Sequence, residues 1–178
     1  MLCMLPESLT IETTDLTTTL KRNINMSRPV LHIMVGLPGS GKSTYIKKHA
    51  KEGDVILSSD AIRKELFGDI NHQDDKNKVF NLMHRRLKEA MDKGKDIWYD
   101  AMGIAVKARR GALQFSHKNY DVRAEVMVTP IDTCIERVKK PDRELILDKE
   151  VILRRVAEFR IPVKQEGFDA INFNFENP

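Results

Sequence analysis

The sequence feature that most constrains this chain is a glycine-rich run, GLPGSGKST, at residues 36–44. It fits the pattern G-x-x-x-x-G-K-[ST], in which backbone N–H groups surround phosphate oxygens. Residues 30–35, just before it, are mostly apolar and have the length of a buried strand, and residues 45–50 predict the opening turns of a helix. A strand, a glycine loop and a helix in this order predict a phosphate-binding site rather than a chance turn beside a lysine.

Each residue type in this loop suits a triphosphate such as ATP. Glycines at 36, 39 and 41 let the backbone turn tightly against phosphate oxygens, and the following helix points the positive end of its dipole at them. Lys42 would carry positive charge to the β- and γ-phosphates as a catalytic residue, and the Ser43 hydroxyl would be a ligand of Mg²⁺. We therefore predict that phosphate binding involves Gly39, Ser40, Gly41, Lys42, Ser43 and Thr44.

The bulk properties of the chain are those of one globular domain. It has 178 residues, of which 41% are hydrophobic and 31% charged. The net charge of +4 suits a phosphate-rich ligand or a nucleic acid, but a few spare surface lysines would explain it equally well. Cys3 and Cys134 are too far apart to predict a disulfide framework or a zinc site, which favours a reducing compartment. We expect a cytoplasmic protein, in the host cell if it is phage-encoded, with no membrane partner because no apolar stretch is long enough to span a bilayer.

The chain divides into two parts. Residues 1–27 are rich in threonine and show little periodicity, which predicts a flexible N-terminal extension, whereas residues 28–178 predict the folded domain. Strands are expected at 30–35, 54–58, 97–100, 122–128 and 168–175. Helices are expected from an N-cap at Asp60 through Leu66, at 74–93, 105–118 and 130–138, and from a cap at Asp148 through Arg160.

This alternation predicts an α/β fold of the P-loop nucleotide-binding type. We expect a parallel sheet of about five strands, with helices on both faces and a small lid. In such sheets ligands bind at the carboxyl ends of the strands. The glycine loop, Asp60 and Asp100 all follow strands, so one cleft can hold all three.

Two further groups point from nucleotide binding towards a reaction. Asp60 and Arg63 lie three residues apart and share the first turn of a helix, where Asp60 could act as a general base and Arg63 could bind an acidic group of the acceptor. The alternative is an ordinary N-cap with a surface arginine. The cationic segment 139–143, with Arg137 before it, could close over the phosphates and bring Arg143 to the transferring group; the alternative is a solvated basic loop.

The signatures of other P-loop classes are missing. The chain contains no Asn-Lys-x-Asp run for guanine, and no long apolar stretch precedes Asp100. Both observations favour a small kinase over a GTPase or a motor ATPase.

These residues resemble the P-loop kinase domain of phage and bacterial polynucleotide 5′-hydroxyl kinases. The resemblance spans about residues 29–172 and rests on four pieces: the glycine loop; Ser59-Asp60-Ala61-Ile62-Arg63; Tyr99-Asp100-Ala101-Met102 with Arg109-Arg110; and Ile161-Pro162-Val163 with Glu166-Gly167-Phe168-Asp169. It implies that Asp60 is the general base on the 5′-hydroxyl, that Arg63 contacts the neighbouring nucleotide phosphate, and that a lid arginine, assigned to Arg143, contacts the β- and γ-phosphates. Asp100 and Arg110 are assigned to acceptor binding and Arg137 to the nucleobase side of the lid.

The expected activity is transfer of the ATP γ-phosphate, with Mg²⁺, to the 5′-hydroxyl of DNA or RNA. The expected partners are ATP and a single-stranded nucleic-acid 5′ end held by the basic helix of Lys107, Arg109 and Arg110, and a homo-oligomer stays open. Two alternatives remain: a P-loop kinase of a nucleoside, sugar or antibiotic hydroxyl, and an ATP-binding regulatory or toxin-like module.

Overall fold

The computed structural model describes residues 28–72, 74–115, 119–140, 144–145 and 147–175. The predicted N-terminal extension, residues 1–27, lies outside the described residues, as does Arg143. The strands are β1 (Val30–Val35), β2 (Val55–Ser58), β3 (Ile97–Asp100), β4 (Asp121–Val128) and β5 (Ala170–Phe175). The helices are α1 (Lys42–His49), α2 (Ser59–Phe67), α3 (Lys76–Asp92), α4 (Val106–Leu113), α5 (Ile131–Val138) and α6 (Lys149–Glu158), and a 3₁₀ turn covers Lys164–Glu166.

The strands form one five-stranded sheet in the order β2-β3-β1-β4-β5, and every neighbouring pair is parallel. The predicted α/β fold with a parallel sheet is therefore confirmed. Because β1 lies between β3 and β4, the loop that follows it opens at the centre of the carboxyl edge of the sheet. This placement gives the loop neighbours from both adjacent strands.

The main core lies on one face of the sheet, where alternate residues of the strands pack against α3 and α4. This face is apolar because the central strands place every second side chain there. Its buried members include Leu31, Ile33, Val35, Val122, Ala124, Val126, Val79, Met83, Leu87 and Ala112. A smaller apolar cluster packs α1 against strands β1, β3 and β4. Its buried members are Met34, Ile46, Trp98 and Met127.

A buried carboxylate lies beside this smaller cluster. Glu125 is hydrogen-bonded to His32 at 2.9 Å and accepts hydrogen bonds from Asn172 at 3.0 Å and Asn174 at 3.1 Å. Burial alone would raise the pKa of Glu125, but these hydrogen bonds outweigh it and the pKa is lowered. The His32 ring stacks on Trp98 with centroids 3.8 Å apart, so both residues have packing roles, as the strand pattern predicts.

Several predicted boundaries differ from the structure for local reasons. Asp60 is not the N-cap of α2; that position belongs to Ser58, whose hydroxyl accepts a hydrogen bond from the Ala61 N–H at 3.3 Å. Ser58 ends β2, so strand and helix share a junction with no loop between them. Gly68 ends α2 with φ of 72°, as expected. The predicted basic helix 105–118 is shorter, since α4 ends at Leu113.

The outer strand β5 leaves an open edge. It pairs with β4 alone among the strands that the structure describes. Phe173 is 48% exposed and Phe175 is 71% exposed. Within the described ranges, no helix has the length and apolar character needed to cross a membrane.

Candidate nucleotide and acceptor site

The glycine loop connects β1 to α1 at the centre of the carboxyl edge. Gly39 and Gly41 have φ of 82° and 88°, a backbone conformation that side chains rarely adopt. At Gly39 space is also limiting, because a Cβ atom would lie 2.5 Å from the carbonyl oxygen of Cys134 in α5. The loop therefore needs glycine there to pack against α5, and α1 begins directly after it with its free N–H groups at the loop.

The ammonium group of Lys42 lies within the loop. Its Nζ donates hydrogen bonds to the carbonyl oxygens of Gly36 at 2.9 Å and Leu37 at 2.8 Å. A phosphate oxygen would be a stronger partner for this charge than a neutral carbonyl. The position suits the role that the sequence predicts for Lys42.

Two residues that follow β4 contact backbone carbonyl oxygens of the glycine loop. Thr129 donates a hydrogen bond from Oγ1 to the carbonyl oxygen of Ser40 at 3.0 Å, and Arg137 in α5 approaches the carbonyl oxygen of Gly39 at 3.4 Å. Arg137 therefore lies against the loop, beside the predicted phosphates. The Ser40 hydroxyl is buried without a hydrogen-bond partner among the described residues, whereas Thr44 is exposed in the first turn of α1.

A hydroxyl and a carboxylate meet where the loop joins α1. Ser43 donates a hydrogen bond from Oγ to Oδ2 of Asp100 at 3.0 Å, which joins the loop to the end of β3. Burial raises the pKa of Asp100, while the Lys42 charge and the Ser43 hydrogen bond lower it and the Asp60 charge raises it further. Ser58, two residues before Asp60, pairs with Asp100 in the register of β2 and β3, so α2 begins beside the carboxylate that contacts the loop.

This pair of oxygen groups fits a magnesium ion. Mg²⁺ prefers oxygen ligands and commonly retains several waters, so it needs few protein side chains. Within the described ranges, no group of three or more His, Cys, Asp or Glu side chains could hold a metal ion by itself. Ser43 and Asp100 are the residues that could hold Mg²⁺ together with the phosphates.

Asp60 and Arg63 form an ion pair within α2. Arg63 donates from Nη1 to Oδ1 of Asp60 at 2.5 Å. The side chain of Asp60 is 45% exposed, whereas that of Arg63 is only 8% exposed. The Arg63 Nε is buried with no hydrogen-bond partner among the described residues, so the guanidinium is only partly satisfied. Arg63 is therefore not the surface arginine of the alternative interpretation.

Arg109 does not lie on the predicted nucleic-acid surface. It is fully buried and forms an ion pair with Glu166, whose carboxylate accepts hydrogen bonds from Nε at 2.8 Å and Nη2 at 2.7 Å. The expectation that Arg109 holds a strand is wrong, because the helix turns this residue towards the protein while Lys107 and Arg110 stay exposed. Arg110 borders a shallow groove whose other lining residues are Val106, Leu113, Val163, Gln165 and Glu166.

The segment after α5 reaches back to α2. Glu144 accepts a hydrogen bond from Lys64 at 2.6 Å, and its carbonyl oxygen accepts one from Asn71 at 3.0 Å. Sequence reasoning missed these contacts, as well as Thr129, because single polar residues in connecting segments carry no periodic signal. Arg143, the predicted lid arginine, is adjacent to Glu144 in sequence but lies outside the described residues.

The fold and the site define a P-loop nucleotide-binding protein with a carboxylate and an arginine beside the phosphate loop. A family model described as an AAA domain matches residues 31–162. The chain belongs to this family. No curated protein matches the chain.

Solved structures share the fold at low sequence identity. A chain of the Pnkp1/Rnl/Hen1 RNA repair complex has a TM-score of 0.67 and 20% identity; the match covers 77% of this chain and 46% of that one. Shikimate kinase from Acinetobacter baumannii has a TM-score of 0.54 and 18% identity, with 84% and 86% covered. A chain of the PezAT toxin–antitoxin system of Streptococcus pneumoniae has a TM-score of 0.62 and 15% identity, with 93% and 79% covered.

This chain thus spans less than half the length of the matched chain from the RNA repair complex. The family match and the structural neighbours confirm the predicted resemblance to P-loop kinases. At these identities the neighbours show a shared fold and nothing finer.

Proposed function

We propose that this protein is an ATP- and Mg²⁺-dependent kinase that transfers the γ-phosphate to the 5′-hydroxyl of a polynucleotide. The observation that carries the proposal is the position of Asp60. Asp60 follows two residues after Ser58, which pairs with Asp100 in the register of β2 and β3, and its side chain is 45% exposed at this edge of the sheet. A base in this position can receive the proton of an alcohol placed between it and the γ-phosphate.

The loop residues perform binding and charge stabilisation. The backbone of 39–44 and the N-terminus of α1 surround the phosphates, and Lys42 leaves its carbonyl partners to contact the β- and γ-oxygens. Bound Mg²⁺ would neutralise charge on the β- and γ-phosphates. Ser43 and Asp100 are the side chains that would hold the ion. Arg137 in α5 contacts the loop through the carbonyl oxygen of Gly39.

The transfer itself needs one proton acceptor. The acceptor oxygen forms a bond to the γ-phosphorus while the bond from the γ-phosphorus to the β–γ bridging oxygen breaks, and ADP leaves. Asp60 takes the proton from the attacking hydroxyl. Arg63 holds the Asp60 carboxylate in place and supplies positive charge next to the acceptor.

Two cationic features favour a polynucleotide acceptor. Arg63 is incompletely satisfied by Asp60, and the phosphate next to a 5′-terminal nucleoside would give its guanidinium a second anionic partner. Arg110 and Lys107 are exposed on α4, beside the groove lined by Val106 and Leu113. A strand whose 5′ end reaches Asp60 could place its backbone along this helix, where cations bind phosphate without regard to sequence.

A small-molecule acceptor is the second candidate. It is favoured by the similarity to shikimate kinase, which covers most of both chains. Asp60 would serve as the base for any alcohol, so this candidate changes the acceptor and leaves the phosphate site unchanged. The regulatory or toxin-like module would have the same ATP site with slow or no transfer.

One assay separates these candidates. The protein is incubated with γ-labelled ATP, Mg²⁺ and four acceptor sets: 5′-hydroxyl DNA, 5′-hydroxyl RNA, nucleoside 3′-monophosphates, and a panel of nucleosides, sugars and shikimate. The proposal expects label on the oligonucleotides and the 3′-monophosphates. Label confined to a nucleoside, sugar or shikimate would replace it with the second candidate, and binding of ATP without any transfer would favour the regulatory module.

Matched variants show whether label comes from this site. Asp60→Asn should abolish most transfer, while Glu150→Gln, which removes an exposed first-turn carboxylate from α6 instead of α2, should retain it. Equal loss in both variants would contradict the role of Asp60.

A further inference from the structure

Buried Arg109 connects the turn after β3 to two other segments of the fold. Its Nη1 donates hydrogen bonds to the carbonyl oxygens of Gly103 at 2.8 Å and Arg160 at 2.9 Å, while Nε and Nη2 are bound by Glu166. All three guanidinium nitrogens are therefore engaged, in the fixed planar geometry that only arginine provides. We propose that Arg109 is a positioning residue for the phosphate loop and acts through the turn at 101–104.

This turn contacts the beginning of the loop. Gly36 donates its N–H to the carbonyl oxygen of Met102 at 3.1 Å. The next residue, Gly103, has φ of 61°, and a Cβ atom there would lie 2.2 Å from the carbonyl oxygen of Met34. The turn thus packs directly on the end of β1, with no space for adjustment in that direction.

The turn at 101–104 directly follows Asp100, which contacts the other end of the phosphate loop. Asp100 accepts the hydrogen bond from Ser43 and is three residues from Gly103, whose carbonyl Arg109 holds. A shift of this short turn would move the Gly36 partner and the Ser43 partner together. The two ends of the phosphate loop are therefore aligned by one buried guanidinium that touches neither of them.

The ion pair with Glu166 keeps the guanidinium in place. Burial alone would raise the pKa of Glu166, but hydrogen bonds from Arg109 and from the backbone of Val163 outweigh it and the pKa is lowered. Glu166 is thus ionised at neutral pH and bidentate on Arg109. This contact joins the Arg109-Arg110 and Glu166-Gly167-Phe168-Asp169 pieces of the sequence, which are far apart along the chain.

The decisive comparison is between Arg109→Lys and a core variant of equal stability. Lysine cannot contact Gly103, Arg160 and both oxygens of Glu166 at once. Leu87→Ala, in the α3 part of the core, serves as the control for a general loss of stability. Both variants are measured at a temperature at which circular dichroism shows that they are folded. Two quantities are measured in each protein: hydrogen exchange of the Gly36 amide by NMR, and phosphoryl-transfer turnover.

Arg109→Lys should raise the Gly36 exchange rate and lower turnover roughly 10–100-fold, as misplaced catalytic groups do. Leu87→Ala should leave both quantities near the wild-type values. If Arg109→Lys behaves as Leu87→Ala does, Arg109 is a structural residue only and the inference is overturned.

A second variant keeps the test open if Arg109→Lys fails to fold. Glu166→Gln leaves the two hydrogen bonds from Nη1 of Arg109 in place but removes the charge that anchors the guanidinium. Gly36 exchange should therefore be faster than in the wild-type protein and in Leu87→Ala, and no increase over Leu87→Ala would overturn the inference. The turnover measurement rests on the proposed function, whereas the exchange measurement does not. Absence of polynucleotide phosphorylation in the wild-type protein would therefore remove the polynucleotide proposal and leave the exchange result to decide the role of Arg109.

Discussion

Ser43 and Asp100 are joined by a hydrogen bond of 3.0 Å between Oγ and Oδ2, although they are 57 residues apart in sequence. This contact holds a carboxylate at a partly buried position where burial raises its pKa. An ionised Asp100 would suit an Mg²⁺–nucleotide complex. Because burial disfavours that ionised form, the same carboxylate reduces the free energy of unfolding of the protein without ligand.

Asp100→Asn should therefore stabilise the protein and weaken its activity. Because folding raises the pKa of Asp100, the protein is more stable when this carboxyl group is neutral. That part of the free energy of unfolding is lost as pH rises through the folded-state pKa. The gain from asparagine should thus be largest at neutral pH and vanish near pH 4, while activity at limiting Mg²⁺ falls roughly 10–100-fold. Thermal unfolding from pH 4 to 8 measures the first effect, and a variant less stable than wild type at pH 7 would refute it.

Asp60→Asn tests the base. Removal of a general base typically costs about 10²–10⁴-fold in turnover, because the interaction is made only in the transition state. ATP affinity, measured by isothermal titration calorimetry, should stay within about twofold, since the proposed role of Asp60 is on the acceptor and not on the nucleotide. A parallel loss of ATP affinity would instead make Asp60 part of the nucleotide site.

Arg63→Gln tests whether the Arg63 guanidinium, which pairs with Asp60 but has no hydrogen-bond partner for Nε among the described residues, binds the acceptor phosphate. Loss of a charged hydrogen bond costs about 1.5–3 kcal/mol, so the KM of a nucleoside 3′-monophosphate should rise roughly 10–100-fold. The KM of ATP should not change. Steady-state kinetics with the 3′-monophosphate and the matching nucleoside supply the comparison: equal effects on both would mean that Arg63 acts through Asp60 and does not bind the acceptor phosphate.

Gly39→Ala separates loop packing from backbone strain. Gly39 and Gly53 both have positive φ, but only at Gly39 would a Cβ atom meet backbone, the Cys134 carbonyl oxygen at 2.5 Å. Gly53→Ala should cost about 1–2 kcal/mol in the free energy of unfolding from strain alone and leave ATP binding intact. Gly39→Ala should cost more and abolish ATP binding, as measured by denaturant unfolding and titration; similar behaviour of the two variants would mean that the loop tolerates displacement from α5.

Glu125→Gln concerns stability away from the site. Because folding lowers the pKa of Glu125, its contribution is present at neutral pH and lost as pH falls through the folded-state pKa. Replacement of the buried, hydrogen-bonded carboxylate should cost about 1–3 kcal/mol at pH 7 and flatten the decline of stability at acidic pH. Urea unfolding at pH 4 and pH 7 tests this, with the exposed Glu150→Gln as the control that should change neither value.

The sequence predicts most of the fold because its signals are local. The glycine loop with its strand and helix, and the apolar face of residues 79–91, are recognisable within a few turns of chain, and all appear in the structure. The helix start at Asp60 was wrong by two residues because two polar residues, Ser58 and Asp60, could both act as a cap. Only the three-dimensional junction with β2 decides between them.

The site was predictable in part, for the same reason. The position of Asp60 and Asp100 at one edge follows from the strand order of a parallel sheet, whereas the burial of Arg109 does not follow from its sequence neighbours. Arg109 and Arg110 look alike in a basic helix, and their difference depends on Glu166, which is 57 residues away. Contacts of this kind have no sequence period and appear only when the chain is folded.

The open edge of β5 bears on how the protein behaves in concentrated solution. Residues 170–175 carry no charge and no proline, and Phe173 and Phe175 are exposed on this strand. Natural sheet edges are commonly guarded by lysine or proline, which discourage addition of a strand from another molecule. Within the strand itself there is no lysine or proline, and Phe175 is its most exposed side chain, so Phe175→Lys is the substitution most suited to limit addition of a strand from another molecule.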